Sequence, residues 1–237
     1  MLFTNNSKTV ISLDFDRSTC DQQCAYCYVI NLERIYPAYR EKLKTNEFIS
    51  RDDWKSFASN VNAEYLKLRN SKSKQYTRLH KLPVRIYGSG DYQPHHFKIF
   101  EQFDFKFYII SKNLTAIKYE KELKKLLSLQ NLTSIVLSFD SDNLDERFKR
   151  LQRLRKNDKI KFAFTGLPDE FTELKSKSNL KFDIFFNTSK TNDNKQKTRD
   201  HREQCPCTSG LIPTKEACTI CSKCWRSSVS REKVQTS

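Results

Sequence analysis

Glycine is scarce in this chain, at four residues in 237, while lysine is abundant, which excludes a glycine-rich low-complexity protein. No stretch approaches the roughly 20 apolar residues of a membrane span, which argues against a membrane protein. The opening stretch, MLFTNNSKTV, lacks the charged, then apolar, then small layout of a secretory signal. The expected location is therefore the cytoplasm. In that reducing compartment, eight cysteines are expected to serve metals or redox chemistry rather than structural disulfides. Hydrophobic residues make up only 37%, yet the apolar runs are dense and aromatic-rich, so a packed core is feasible. The length suits one domain of up to about 250 residues, or a domain with a small appendage. No internal repeat is present.

The formal net charge is +15. A basic surface attracts polyanions: nucleic acid, an acidic protein or an acidic substrate. Lysine-rich solvated faces and AT-rich coding offer a plainer origin for the same sum.

Six short apolar, β-branched or aromatic runs recur: TVISLDF (9–15), VRIYG (84–88), FKFYIIS (105–111), SIVLSFD (134–140), IKFAFTG (160–166) and FDIFFN (182–187). Their length and residue types predict buried strands. Helical periodicity lies between them. RDDWKSFASNVNAEYLKLRN places Trp54, Phe57, Val61, Tyr65 and Leu68 on one face. AIKYEKELKKLLSLQN and LDERFKRLQRLRKN behave alike, the latter with an N-cap expected at Asp142 or Asn143. Strand–helix alternation implies a mainly parallel sheet with helices outside, as a doubly wound sheet or a partial barrel. A partial (β/α)6 TIM-like barrel is the favoured α/β expectation.

The expected strand ends carry DRSTC, GSGD, SKN, SFDSD, TGLPDE and NTSK. In parallel α/β architectures, active sites form at these carboxyl ends. Any one of them alone reads as ordinary capping; six together with a cysteine-rich loop suggest a site. From 188 to 204 the composition turns wholly polar and charged, as in a linker. A cysteine-rich extension follows at 205–237. The expected layout is therefore a barrel over 1–187, a polar linker and an auxiliary metal-binding extension.

TCDQQCAYCYVI holds Cys20, Cys24 and Cys27, separated by three and then two residues. Thiolates bind zinc or iron–sulfur clusters. Three ligands on a cubane cluster leave one iron open to a small chelating molecule. A zinc knuckle completed by His95, His96 or His201 is the plainer alternative.

With Tyr26 before its last cysteine, this segment resembles the radical SAM superfamily. The resemblance implies that Cys20, Cys24 and Cys27 hold a 4Fe-4S cluster whose open iron binds S-adenosylmethionine. One electron then cleaves the sulfonium, and a 5′-deoxyadenosyl radical abstracts hydrogen from the substrate. YGSGD, from Tyr87 to Asp91, resembles the family's Gly-Gly-Glu segment, which receives the methionine ammonium. It departs from that pattern at Ser89, Gly90 and Asp91. Aspartate is shorter than glutamate, which weakens the expected side-chain contact, whereas Gly88 and Gly90 still permit the backbone contact. The resemblance also brings Ser138 and Asp140 towards the ribose hydroxyls or carboxylate. Lys112 is placed to meet a carboxylate, and Thr165 and Asn187 occupy similar strand ends.

Cys205, Cys207, Cys218, Cys221 and Cys224 fall within twenty residues. CTICSKCW repeats a two-residue spacing, and Cys205 or Cys207 would complete four ligands for a second metal centre. Radical SAM relatives carry auxiliary 4Fe-4S clusters in such extensions; zinc remains the alternative. The layout most resembles small phage-encoded proteins of the gene-product-eighty-eight type, which end in Cys-Pro and a closing cysteine triplet. That resemblance implies Cys205, Cys218, Cys221 and Cys224 as ligands and leaves Cys207 as an alternative ligand, a hydrogen donor or inert. It also implies a bacterial host cytoplasm.

The leading expectation is a radical SAM enzyme served by a reducing partner such as flavodoxin or ferredoxin. A peptide or protein substrate is favoured, and nucleic acid remains open. The alternative is a non-enzymatic, zinc-stabilised nucleic-acid-binding protein of phage type.

Overall fold

The computed structural model describes residues 3–5, 11–14, 37–71, 82–87, 90–140, 144–177 and 181–187. The chain divides into two units: 1–6 with 10–132, and 7–9 with 133–237.

The first unit carries strands β1 (Phe3–Asn5), β2 (Ile11–Leu13), β3 (Val84–Ile86) and β4 (Phe107–Ser111). β1 runs antiparallel to β2, with Phe3 opposite Leu13. β2, β3 and β4 are parallel, with Leu13 opposite Ile86 and Ile86 opposite Ile109. Alternation then gives the ladder two unlike faces. Leu13, Ile86 and Ile109 share the apolar face and are fully buried. Ser12, Arg85 and Tyr108 align on the other.

The helices of this unit are α1 (Pro37–Asp52), α2 (Trp54–Arg69), α3 (His96–Phe100) and α4 (Glu120–Leu127). Asp53 separates α1 from α2 and caps α2, its carboxylate accepting the Ser56 N–H at 3.1 Å. α2 buries Phe57, Ala58, Val61 and Leu68, while Trp54 and Tyr65 are half-buried at its edge. The Phe3 ring lies 6.1 Å from Tyr65, and Phe107 lies 5.2 Å from Phe100. The apolar face of the ladder therefore packs against α2 and α3.

The second unit alternates β5 (Leu132–Phe139), α5 (Leu144–Gln152), a 3-10 turn (Arg153–Lys156), β6 (Ile160–Gly166), α6 (Pro168–Lys177) and β7 (Ile184–Asn187). Its strands are parallel, with Leu137 opposite Phe162, and Phe164 between Phe139 and Phe185. These residues face a phenylalanine cluster. Phe148 of α5 lies 5.1 Å from Phe162, and Phe171 of α6 stacks on Phe185 at 4.5 Å. Burying each such ring contributes about 1.5–3 kcal/mol. The opposite face carries Ser134, Val136, Ser138, Lys161, Ala163 and Thr165.

The fold is thus α/β, with six parallel strands, three in each unit. All six expected strands are present, most of them trimmed; only IKFAFTG keeps its full span. β1, α1, α3 and α6 were not anticipated. The expected caps Asp142 and Asn143, the linker 188–204 and the extension 205–237 lie outside the described residues. Among the described residues, no helix is long and apolar enough to cross a membrane.

Candidate functional site

The chain leaves β3 through a strained turn. Tyr87, next after Ile86, has φ 66°, and Gly90 has φ 82°. A bulky residue in the left-handed region costs of order 1–3 kcal/mol, so its surroundings must hold it there. The Tyr87 N–H donates to the Leu13 carbonyl at 3.3 Å. Its buried hydroxyl lies 2.6 Å from His96 Nδ1. The Gln93 N–H donates to the same nitrogen at 3.1 Å. A peptide N–H can only donate, so Nδ1 is the lone-pair nitrogen, and Tyr87 donates its hydroxyl proton. Burial, and then the positive charge of Arg51, push the His96 ring down to about 3, so it is neutral at physiological pH.

Asp91 closes the same turn from below. Its Oδ1 accepts the Tyr92 N–H at 2.7 Å and the Ser111 hydroxyl. Its Oδ2 accepts the N–H groups of Lys112 at 2.9 Å and Asn113 at 3.0 Å. Ser111 Oγ in turn accepts the Leu114 N–H at 3.0 Å, and the Asn113 amide donates to the Tyr92 carbonyl at 3.1 Å. Burial pushes the Asp91 carboxyl up, against these four donors, which pull it down. A carboxylate has about four lone-pair sites, and protein donors occupy that number here. The side chain expected to receive a ligand ammonium is thus turned inward, where it clips the end of β3 to the end of β4. Lys112 joins this assembly through its backbone, and its side chain is half-exposed.

In the second unit, Ser138 and Thr165 end neighbouring strands on the polar face. Their hydroxyls lie 2.8 Å apart. Asp140, one residue past β5, is buried, as is Lys161 on the same face of β6. Asn187 is the last residue of β7.

Cys20, Cys24, Cys27, Tyr26, Gly88, Ser89, His201, Cys205, Cys207, Cys218, Cys221 and Cys224 lie outside the described residues. Among the described residues, no three His, Asp or Glu side chains converge as a metal site would require. His95 sits 4.2 Å from the His96 ring, and Nδ1 of His96 serves Tyr87 and Gln93.

Asp14 was not singled out from the sequence. It follows β2 on the polar register begun by Ser12 and is buried. The alternation Ile11-Ser12-Leu13-Asp14 carried the signal: a carboxylate at a period-two position beside apolar residues. The Tyr87–His96 pair left no comparable trace, because no local pattern announces a left-handed tyrosine.

Residues 7–227 match the family described as Gene product 88, and the chain belongs to that family. Neither the curated proteins nor the solved structures include a match.

Proposed function

We propose that this member of the Gene product 88 family is a radical S-adenosylmethionine enzyme built on a partial (β/α)6 barrel. One observation carries the reading: Cys20, Cys24 and Cys27, with Tyr26 among them, follow shortly after the carboxyl end of β2. Three thiolates suit a 4Fe-4S cluster with an open iron. When bound, such a cluster supplies the single electron that cleaves the sulfonium of S-adenosylmethionine for hydrogen abstraction from substrate.

The described residues fit this use in two respects. In each unit helices pack on one face of the parallel ladder, and the other face mixes polar with apolar residues: Ser12 and Arg85 in the first unit, and Ser134, Ser138, Lys161 and Thr165 beside Val136, Ala163 and Ile184 in the second. At the carboxyl end of β3, the left-handed residues Tyr87 and Gly90 flank a segment whose peptide carbonyls would serve an ammonium. Ser138, Thr165 and Asp140 provide hydroxyl and carboxylate groups for a ribose. Lys112 provides a cation for a carboxylate. Within the first unit, the Asp91 clip and the Tyr87–His96 contact hold the segments that follow β3 and β4.

Cys205, Cys218, Cys221 and Cys224 would hold the auxiliary centre, iron–sulfur in preference to zinc. The substrate is a peptide or protein in preference to a nucleic acid, and flavodoxin or ferredoxin delivers the electron. The test is oxygen-free purification with metal analysis. Brown protein with roughly eight irons and matching acid-labile sulfide per chain supports two 4Fe-4S clusters. Colourless protein carrying two zincs overturns the reading.

A further inference from the structure

We propose that the outer face of α5 and of the 3-10 turn after it docks the phosphate backbone of a nucleic acid. The argument begins with where the charge sits. Residues 133–187 hold eleven Lys and Arg against nine Asp and Glu, which is close to balance. Residues 147–161 hold eight of those cations and one of the acids, Asp158. The remainder is left with three cations against eight acids. Within residues 133–187 the positive charge is therefore concentrated in one stretch, from the second turn of α5 through the 3-10 turn to the start of β6. A lysine-rich composition spread over every face would not do this. Four of the eight are arginines, which AT-rich coding does not favour.

The fold turns this segment into a surface. Leu144, Phe148 and Leu151 form the buried side of α5, at helical spacing. Lys149, Arg153 and Lys156 are exposed. They are four and then three residues apart, across an α-helical turn and then a 3-10 turn. That places them at steps of about 6 Å along one side. Arg147 and Arg150 flank them, half-buried, and Glu146 is the exposed acid one turn before Lys149.

Arg155 fixes the stripe in place. Its guanidinium reaches Asp183 at 3.3 Å, donates to the Lys181 carbonyl and lies 5.5 Å from the Phe162 ring. The turn bearing Arg153 and Lys156 is thereby tied to the start of β7. Preorganised cations lose less freedom on binding.

The chemistry of the face selects the ligand. Phe148 is the one aromatic residue between 144 and 161, and it is buried. The face therefore offers no ring on which a base could stack. Without a stacking ring the face is suited chiefly to phosphates, so binding should depend strongly on salt and little on sequence. This inference stands apart from the proposed cluster chemistry: the surface needs no cysteine and no cofactor.

The experiment is fluorescence anisotropy of the full-length protein with a labelled mixed-sequence 30-base-pair DNA duplex over a salt series. Substituting K149E/R153E/K156E should weaken binding about tenfold or more at 100 mM salt and flatten the log–log salt slope by about 2–3. The control K67E/K106E/K125E changes the net charge equally at exposed lysines of the other unit. It should leave the slope within about one unit of the parent. The neutral set K149Q/R153Q/K156Q should follow the glutamate set at smaller amplitude, and circular dichroism melting should match the parent for all three. If both glutamate sets weaken binding equally, or neither does, the localised surface is refuted. If polyglutamate competes as well as the duplex does, the partner is an acidic protein and the inference fails. Each outcome can be read whether or not the protein carries iron.

Discussion

The hydroxyl of Tyr87 and Nδ1 of His96 lie 2.6 Å apart, and this contact ties a left-handed residue at the end of β3 to the first residue of α3. Tyr87 keeps its unfavourable dihedral because its hydroxyl and its peptide N–H are both held. Replacing His96 with phenylalanine removes the acceptor of two donors, the buried Tyr87 hydroxyl and the part-buried Gln93 N–H. Each stranded donor costs about 1–3 kcal/mol. Tyr87→Phe removes one hydrogen bond and strands nothing on the tyrosine side, so its cost should be near 1 kcal/mol. Urea unfolding of the two variants should show that order, and the reverse order would mean the ring nitrogen is not the anchor.

His96 also sets a pH dependence. Its ring titrates near 6.5 when exposed and is pushed down to about 3 in the folded chain, first by burial and then by Arg51. Between those values the unfolded chain binds a proton that the folded chain excludes. The stabilisation is therefore complete above pH 6.5 and is lost as pH falls towards 3, by up to about 1.4 kcal/mol per pH unit. His96→Phe cannot titrate. The stability gap between parent and variant should thus narrow steadily from pH 7 to pH 4.5, with groups common to both cancelling. A gap that stays constant across that range would show that the folded chain accepts the proton.

Asp91→Asn tests the clip. The shape is kept, but one acceptor oxygen becomes a donor facing peptide N–H groups of Tyr92, Lys112 or Asn113. The expected cost is about 2–4 kcal/mol, combining lost hydrogen bonds with a donor–donor clash in a buried place. The amides of Lys112 and Asn113 should lose hydrogen-exchange protection ahead of the β6 amides. Protection lost uniformly along the chain would mean that Asp91 acts on global stability and does not clip the two strand ends in particular.

Gly166 ends β6 where a side chain has no room. A Cβ there would lie 2.6 Å from Glu170 Oε2 and 2.8 Å from Cε1 of Phe164. Glu170 is held because that same oxygen accepts the Leu167 N–H at 2.7 Å, and Phe164 is wedged between Phe171, Phe182 and Phe185. The exposed Glu170 can swing away only by giving up that hydrogen bond, and the packed Phe164 ring has nowhere to retreat. Gly166→Ala should lower stability by about 1–3 kcal/mol, the usual penalty of overpacking. An unchanged thermal midpoint would mean that the aromatic cluster repacks without strain.

What the sequence disclosed follows from which forces are local. IKFAFTG reads in full because all seven residues pair with a neighbour, Ile160–Phe164 with β5 and Ala163–Gly166 with β7, and its apolar positions declare themselves. FTN at 3–5 gives no alternation to read, and its strand exists through partners at 11–13. The helix at 168–177 did carry a local sign: Pro168 opens it, and Asp169 and Glu170 occupy the first turn. In the sequence alone the same residues read as a polar strand end. Ser138 and Thr165 were legible as strand ends, and the fold brings their hydroxyls together. Asp91 was legible as important, but not the direction of its side chain. Apart from the adjacent Tyr92 N–H, its partners lie about twenty residues away along the chain and are mostly peptide groups, which no residue type reveals.

The proposed chemistry makes an asymmetric demand on the cysteines. If Cys24 is one of three thiolates on the cluster that binds S-adenosylmethionine, Cys24→Ala should abolish 5′-deoxyadenosine formation under reducing, oxygen-free conditions. Persistence of that product would refute the assignment. If Cys221 belongs to a separate centre, Cys221→Ala should remove about half of the iron and leave some cleavage uncoupled from substrate, because a three-thiolate cluster does not depend on the other ligand set. Loss of all iron in Cys221→Ala would mean that the two centres assemble as one, and with it would go the division of labour between the barrel and its extension.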